Sequence, residues 1–86
     1  MIILKVAARS NPNSVSAAIA GALETQGVVE IHAVGAGAVN QTVKALAVAR
    51  RLIEQNPTST IKVIPGFMEL EIDGVRKTGM RFIVER

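Results

Sequence analysis

From Ile2 to Ala8 the chain alternates, with Ile2, Leu4, Val6 and Ala8 on one side and Ile3, Lys5, Ala7 and Arg9 on the other, the period of a β-strand. Ser10-Asn11-Pro12-Asn13-Ser14 is a cluster of turn and cap residues, after which Val15, Ala18, Ile19, Ala22 and Leu23 recur at helical spacing until Gly27. The spacing predicts a helix over about Ser14 to Gln26. Val28 to Val34 is β-branched and alternating, with Val29, Ile31 and Ala33 facing away from Glu30 and His32, and reads as a second strand. Gly35-Ala36-Gly37 then turns the chain into a run of good helix formers, free of internal Gly or Pro, from Ala38 to about Gln55.

The apolar arc of that second helix is broad. Ala38, Ala45, Leu46, Ala49, Leu52 and Ile53 share one side, while Val43, Ala47 and Val48 fall outside it. A helix packed on one sheet needs a stripe of only about 100°, so the surplus belongs to a wider internal contact or to an interface with a second subunit. Beyond it, Thr60 to Ile72 is strand-like but interrupted by Pro65-Gly66, Asp73-Gly74 is a two-residue hairpin signal, and a last strand runs from Val75 to Glu85. Pairing outward from that turn sets Glu71 opposite Arg76 and Lys62 opposite Glu85, opposite charges in both places. Pro65 then marks a bulge or an edge strand.

The order strand, helix, strand, helix, strand, strand, without repeat or linker, predicts one α+β domain over residues 1–86: a four-stranded mixed sheet with two helices. Right-handed crossovers put both helices on the same face. The opposite face, expected to carry Ile3, Lys5, Glu30 and His32, stays open.

Composition supports a folded chain: hydrophobic residues make up 49% and charged residues 20%, the reverse of a disordered sequence. A chain of 86 residues is too short for a two-domain enzyme and buries only roughly 60–65% of its unfolded surface. It has no cysteine for a disulfide, so self-association would help it. The longest apolar run is about five residues, against roughly 20 for a membrane span, and the start Met1-Ile2-Ile3-Leu4-Lys5 lacks a signal peptide's charged region. A cytoplasmic protein without membrane contact is expected. The net charge of +3 lies entirely before residue 54, where Lys5, Arg9, Lys44, Arg50 and Arg51 face only Glu24 and Glu30. Such an excess permits binding to a polyanion without demanding it.

The inventory for catalysis is thin: no Cys, Tyr or Trp, one His and one Asp. His32 has nothing nearby in sequence arranged to orient it and reads as a solvated surface histidine. Glu69, Glu71 and Asp73 project to one side of a strand, an arrangement open to a hard cation, but Arg76 across the hairpin offers a simpler partner. No enzyme, metal or cofactor is expected. Gly35-x-Gly37 at a strand-to-helix turn suits phosphate but lacks the third glycine of a dinucleotide fingerprint, with Asn40 in its place, and the Gly-Lys-Ser/Thr of a triphosphatase. A tight turn with close helix-on-strand packing explains it as well.

The polar set at the two helix starts is more suggestive. Arg9, Ser10 and Asn11 lie at one strand-to-helix turn and Asn40, Gln41 and Lys44 at the other. Parallel strands bring both turns to one end of the sheet. Helix N-termini, amides and cations are phosphate-binding groups. Asn40, Lys44 and Arg51 continue along one helix side, and Arg76-Lys77 add a third cationic place near the hairpin tip. Helix capping by Ser10 to Ser14 is the competing explanation. Aromatic platforms for bases are almost absent, since Phe82 sits between Met80 and Val84 in the expected core and only Phe67 remains. Contacts to phosphates rather than to bases are expected.

These residues carry a resemblance. Leu4-Lys5-Val6, Ser10-x-Pro12-Asn13-Ser14-Val15, Gly27-x-x-Glu30-Ile31, Gly35-Ala36-Gly37-Ala38-x-Asn40-Gln41-x-Val43-Lys44-Ala45, Ala49-Arg50, Ile64-Pro65 with Phe67, Ile72-Asp73-Gly74 and Ile83-Val84-Glu85 resemble the stage V sporulation protein S family over nearly the whole chain. That family is similar in fold to the archaeal chromatin protein Alba and to the C-terminal domain of translation initiation factor 3. The resemblance implies a homodimer with a nucleic-acid-binding (DNA or RNA), regulatory role in sporulation or development, and no enzyme. It maps nucleic-acid contacts onto Arg9, onto Asn40, Gln41 and Lys44, and onto Arg76 and Lys77. Two departures imply weaker and more salt-sensitive binding than a chromatin protein's, or specificity for something else: one cation at the first turn where Alba has a lysine pair, and neutral Asn40-Gln41 where Alba is basic. The alternative expectation is a dimeric module that recruits a regulatory protein through its surplus apolar surface, with the basic residues incidental.

Overall fold

Pro12 fixes where the first helix begins. Its ring sets a helical φ and its missing N–H costs nothing in the first turn, and Asn11, in extended conformation, caps the helix by accepting from the Asn13 N–H at 2.9 Å. The helix thus starts two residues ahead of the Ser14 expected from sequence. The computed structural model describes residues 1–53 and 60–86. Its elements are β1 (Ile2–Val6), α1 (Pro12–Gln26), β2 (Val28–Ala33), α2 (Ala36–Ile53), β3 (Lys62–Ile72) and β4 (Val75–Glu85). The expected end of the second helix at Gln55 lies outside the described residues. Strand boundaries are also tighter than the alternation suggests: Ala7, Ala8 and Val34 belong to the turns, and Thr60 and Ile61 precede the β3 ladder. Gly27 ends α1 at φ 75°, its N–H reaching the Leu23 carbonyl at 2.9 Å, a left-handed cap that glycine adopts without steric cost.

The sheet order is β1-β2-β4-β3, parallel between β1 and β2 and antiparallel elsewhere. The β3–β4 register runs from Lys62 opposite Glu85 to Ile72 opposite Val75 and includes Glu71 opposite Arg76, as the turn and the charge pairs predicted. Asp73 and Gly74 both have positive φ, 51° and 77°, which matches a two-residue hairpin turn. β3 is an edge strand with unbroken register through Pro65, so of the two options the edge applies.

Both helices cover one face. Ile19, Leu23, Val29, Ile31 and Val84 are 0 or 1% exposed, and small residues on the two helices, among them Ala20, Ala22, Ala38, Ala45 and Ala49, fill the space around them. Two hydroxyls in this interior bond back to their own helices, Ser16 Oγ to the Asn13 carbonyl at 2.7 Å and Thr42 Oγ1 to the Ala38 carbonyl at 2.9 Å, removing the cost of burying them. Phe82 is buried as expected. Leu52, placed by periodicity with the core-facing residues, is instead 53% exposed. It lies about 100° around the helix from Ile53, which takes the interior position at 5% exposure. Val43 and Ala47 are also exposed and Val48 is half-buried, so internal packing does not absorb the apolar surplus of α2.

β3 and β4 have 11 residues each against five in β1 and six in β2. Pairing with β2 stops at Ala33 opposite Met80. Residues 75–79 therefore carry the hairpin about 17 Å past the end of β2, and the molecule extends 46 Å along its longest axis against 22 and 18 Å across. The hairpin arm leaves the sheet at the end where both strand-to-helix turns lie. Among the described residues no helix is long and apolar enough to cross a membrane.

Candidate nucleic-acid interface

The first turn is closed by its own polar groups. Ser10 N–H donates to the Ala7 carbonyl at 3.0 Å, and Ala7 N–H donates to Ser10 Oγ at 2.9 Å. Ser10 and the Asn11 carboxamide oxygen are thus engaged in shaping the turn and capping α1, as the competing explanation held. Arg9, between these bonded positions, is exposed. The second turn docks against the first. A Cβ on Gly37 would lie 2.9 Å from Ala8 Cβ, so glycine lets the start of α2 approach the first turn, and Gly35 enters it at φ 91°. Gln41 ties the two together by donating from Nε2 to the Ala8 carbonyl at 3.1 Å, while its enclosed Oε1 has no partner among the described residues.

Asn40, Lys44 and Arg51 lie exposed along α2, but helical rise sets Arg51 about 16 Å from Asn40, away from the turns. Arg9 and Asn40 therefore belong to one sheet end, Lys44 lies a further helical turn along, about 12 Å from the start of α2, and Arg51 lies beyond it. On the arm, Arg76 Nη2 lies 3.4 Å from Glu69 Oε2, with both side chains well exposed, and Thr78 Oγ1 donates to Glu69 Oε1 at 3.1 Å. The partner of Arg76 is thus Glu69, diagonally across the ladder, rather than Glu71 directly opposite. A solvated pair of this kind is weak and leaves Arg76 able to exchange partners. Arg9, Lys44 and Lys77 are exposed and make no ion pair among the described residues. Among those residues no three His, Asp or Glu side chains gather to hold a metal ion.

The open face holds Ile3, Lys5, Glu30 and His32 as expected, with Lys5 beside His32 and Arg81 beside it on the other flank. His32 itself corrects the sequence reading. Its side chain is only 21% exposed and its Nε2 meets Glu30 Oε2 in a hydrogen bond, so it is held rather than freely solvated. The signal was present, since residues two apart on a strand share a face.

These features define a class: a two-layer β-α-β-α-β-β domain with two docked strand-to-helix turns and a protruding hairpin bearing charges of both signs at one end. The particular family follows from the sequence. The family model described as stage V sporulation protein S matches residues 2–86, and the chain belongs to that family. Membership carries a sporulation-related role.

Proposed function

We propose that the chain binds nucleic acid, mainly through backbone phosphates, as a homodimer with a regulatory role in sporulation or development, and that it acts by binding rather than catalysis. The observation that carries this reading is convergence. Arg9, the first turns of α2 with Asn40, and the arm bearing Arg76 and Lys77 all leave one end of the sheet, and Lys44 follows Asn40 one helical turn further along the same exposed side. Cations, amides and a helix N-terminus are the groups that hold phosphates, and an arm projecting beside the turns can follow a groove or a strand. Ser10, Asn11 and Gln41 contribute by fixing the shape of the turns.

Fluorescence anisotropy with labelled duplex DNA, single-stranded DNA and RNA tests the proposal. With three phosphate contacts, affinity falls roughly 40-fold between about 50 and 200 mM salt. Arg9→Ala with Lys44→Ala weakens binding on all sequences about equally. Unchanged affinity in that double variant would remove the site assignment, and absence of binding at the lower salt would remove the reading.

A second reading, a protein-interaction module without nucleic-acid contact, is favoured by exposed apolar surface. Phe67 is 79% exposed and Val63 37%, on the helix-facing side of β3 beyond the helices' cover, and Leu52 and Val43 on α2 are each 53% exposed. This surface also supports the homodimer. Sedimentation of Phe67→Asp distinguishes the two uses: a shift from dimer to monomer assigns Phe67 to self-association, whereas an unchanged dimer leaves it for another protein.

A further inference from the structure

Gly79 sits where the arm leaves the sheet end, closely flanked by the end of β2 and by β3. A Cβ there would meet Val34 Cγ2 at 3.1 Å, the Ala33 carbonyl at 3.2 Å and Leu70 Cδ2 at 3.3 Å, so the arm and the end of β2 close on this glycine from two sides. Beside it opens a cleft of about 470 Å³, within the roughly 300–1,000 Å³ of small-ligand sites. One wall is the end of the parallel strands, with Lys5, Ala8, His32 and Val34. The other is the arm, with Met68 and Leu70.

The surroundings of this cleft are cationic. Lys5 lines it, Lys77 is the cross-strand neighbour of Leu70, Arg81 stands opposite His32, and Arg9 follows Ala8 directly. Against these four stand Glu71, which also lines it, Asp73, which follows the lining Ile72 directly, and Glu30, which is engaged with His32, while Glu69 alternates to the other face of β3. An occupant with an apolar flat body and anionic flanks satisfies both features. Resting on the nucleic-acid reading above, we infer that the cleft receives the base of one unpaired nucleotide, while the surrounding cations hold the adjoining phosphates. Val34, Met68 and Leu70 pack on the faces of the heterocycle by dispersion, and Lys5, His32 and Glu71 supply donors and acceptors to its edge. A base in a duplex is stacked and paired and enters only after extrusion. The cleft therefore selects single strands, a preference that phosphate contacts alone do not give.

The test compares three probes by anisotropy at about 50 mM salt: a single strand of roughly a dozen nucleotides, the duplex of the same sequence, and an abasic strand of equal length and charge. The single strand binds at least about fivefold tighter than the abasic strand and tighter than the duplex. Met68→Ala brings the ratio of single to abasic strand towards one and leaves abasic binding unchanged. In the unaltered protein the Met68 and Leu70 methyl resonances shift with the single strand and stay in place with the abasic one. Equal binding of normal and abasic strands, or a Met68→Ala effect equal on both, overturns the base cleft and leaves the phosphate reading standing. Failure of all three probes to bind overturns both.

Discussion

The helix-covered body and the hairpin arm share a strand yet are held in different ways. In the body, Ile31 on β2 is 0% exposed and Leu23 on α1 is 1% exposed, and hydroxyls that enter the interior are bonded to their own helix. In the arm, Val75 is 55% and Ile72 38% exposed, and order rests on the β3–β4 ladder and the packing of Leu70 and Val34 around Gly79. Burial decides the body's sequence; the arm's sequence is left to charge, turn geometry and whatever the arm touches. The residues proposed to contact nucleic acid lie where burial makes the fewest demands, at the turns, along the exposed side of α2 and on the arm.

The sharpest way to break this comparison is to truncate one apolar side chain in each region. Leu23→Ala should destabilise by roughly 2–5 kcal/mol through lost contacts and a cavity, a large share of the roughly 5–15 kcal/mol expected of a domain. Val75→Ala should change stability by less than about 0.5 kcal/mol. Urea unfolding of both variants checks this, and similar losses would mean that the arm has an interior of its own.

The docking of α2 on the first turn gives the next largest effect. In an unobstructed helix, Gly→Ala stabilises by up to about 1 kcal/mol. Gly37→Ala should instead cost about 1–2 kcal/mol, because the added methyl meets Ala8 Cβ at 2.9 Å and overpacking outweighs propensity. A rise in thermal midpoint would show that the two turns are not in close contact. Asn11→Ala should follow, at about 1 kcal/mol for the lost cap, with Ser14→Ala near zero if Pro12 rather than Ser14 opens the helix. A denaturation midpoint for each separates them. The smallest effect is expected on the arm. Arg76→Ala removes an exposed pair with Glu69 and should alter stability by less than about 0.5 kcal/mol while weakening nucleic-acid binding, a dissociation that melting and anisotropy on one sample reveal.

Much of the fold was legible because its signals are local. Alternation in Val28 to Val34, helical spacing from Val15 to Leu23, and Asp73-Gly74 specify elements and register without reference to the rest of the chain. The same holds for the meeting of the two strand-to-helix turns, with Arg9 and the start of α2 at one sheet end, which follows from parallel strands alone. Leu52 was misplaced because periodicity defines a helix face and cannot tell where its cover ends. The pairing of His32 with Glu30 required choosing one local partner over the flanking Lys5 and Arg81. The close packing at Gly79 was hidden because it depends on residues 33, 34 and 70 meeting at one point; a glycine within a strand signals a close approach but not which residues make it.

The most direct test of the account is to map the bound surface with amide NMR while a short oligonucleotide is titrated into the labelled protein. Shifts should concentrate at Arg9 to Asn11, at Gly37 to Lys44 and at Val75 to Thr78, with the distal end of α2 near Arg51 much less affected. Shifts centred instead on Val63 to Phe67, or an unchanged spectrum at low salt, would contradict the account.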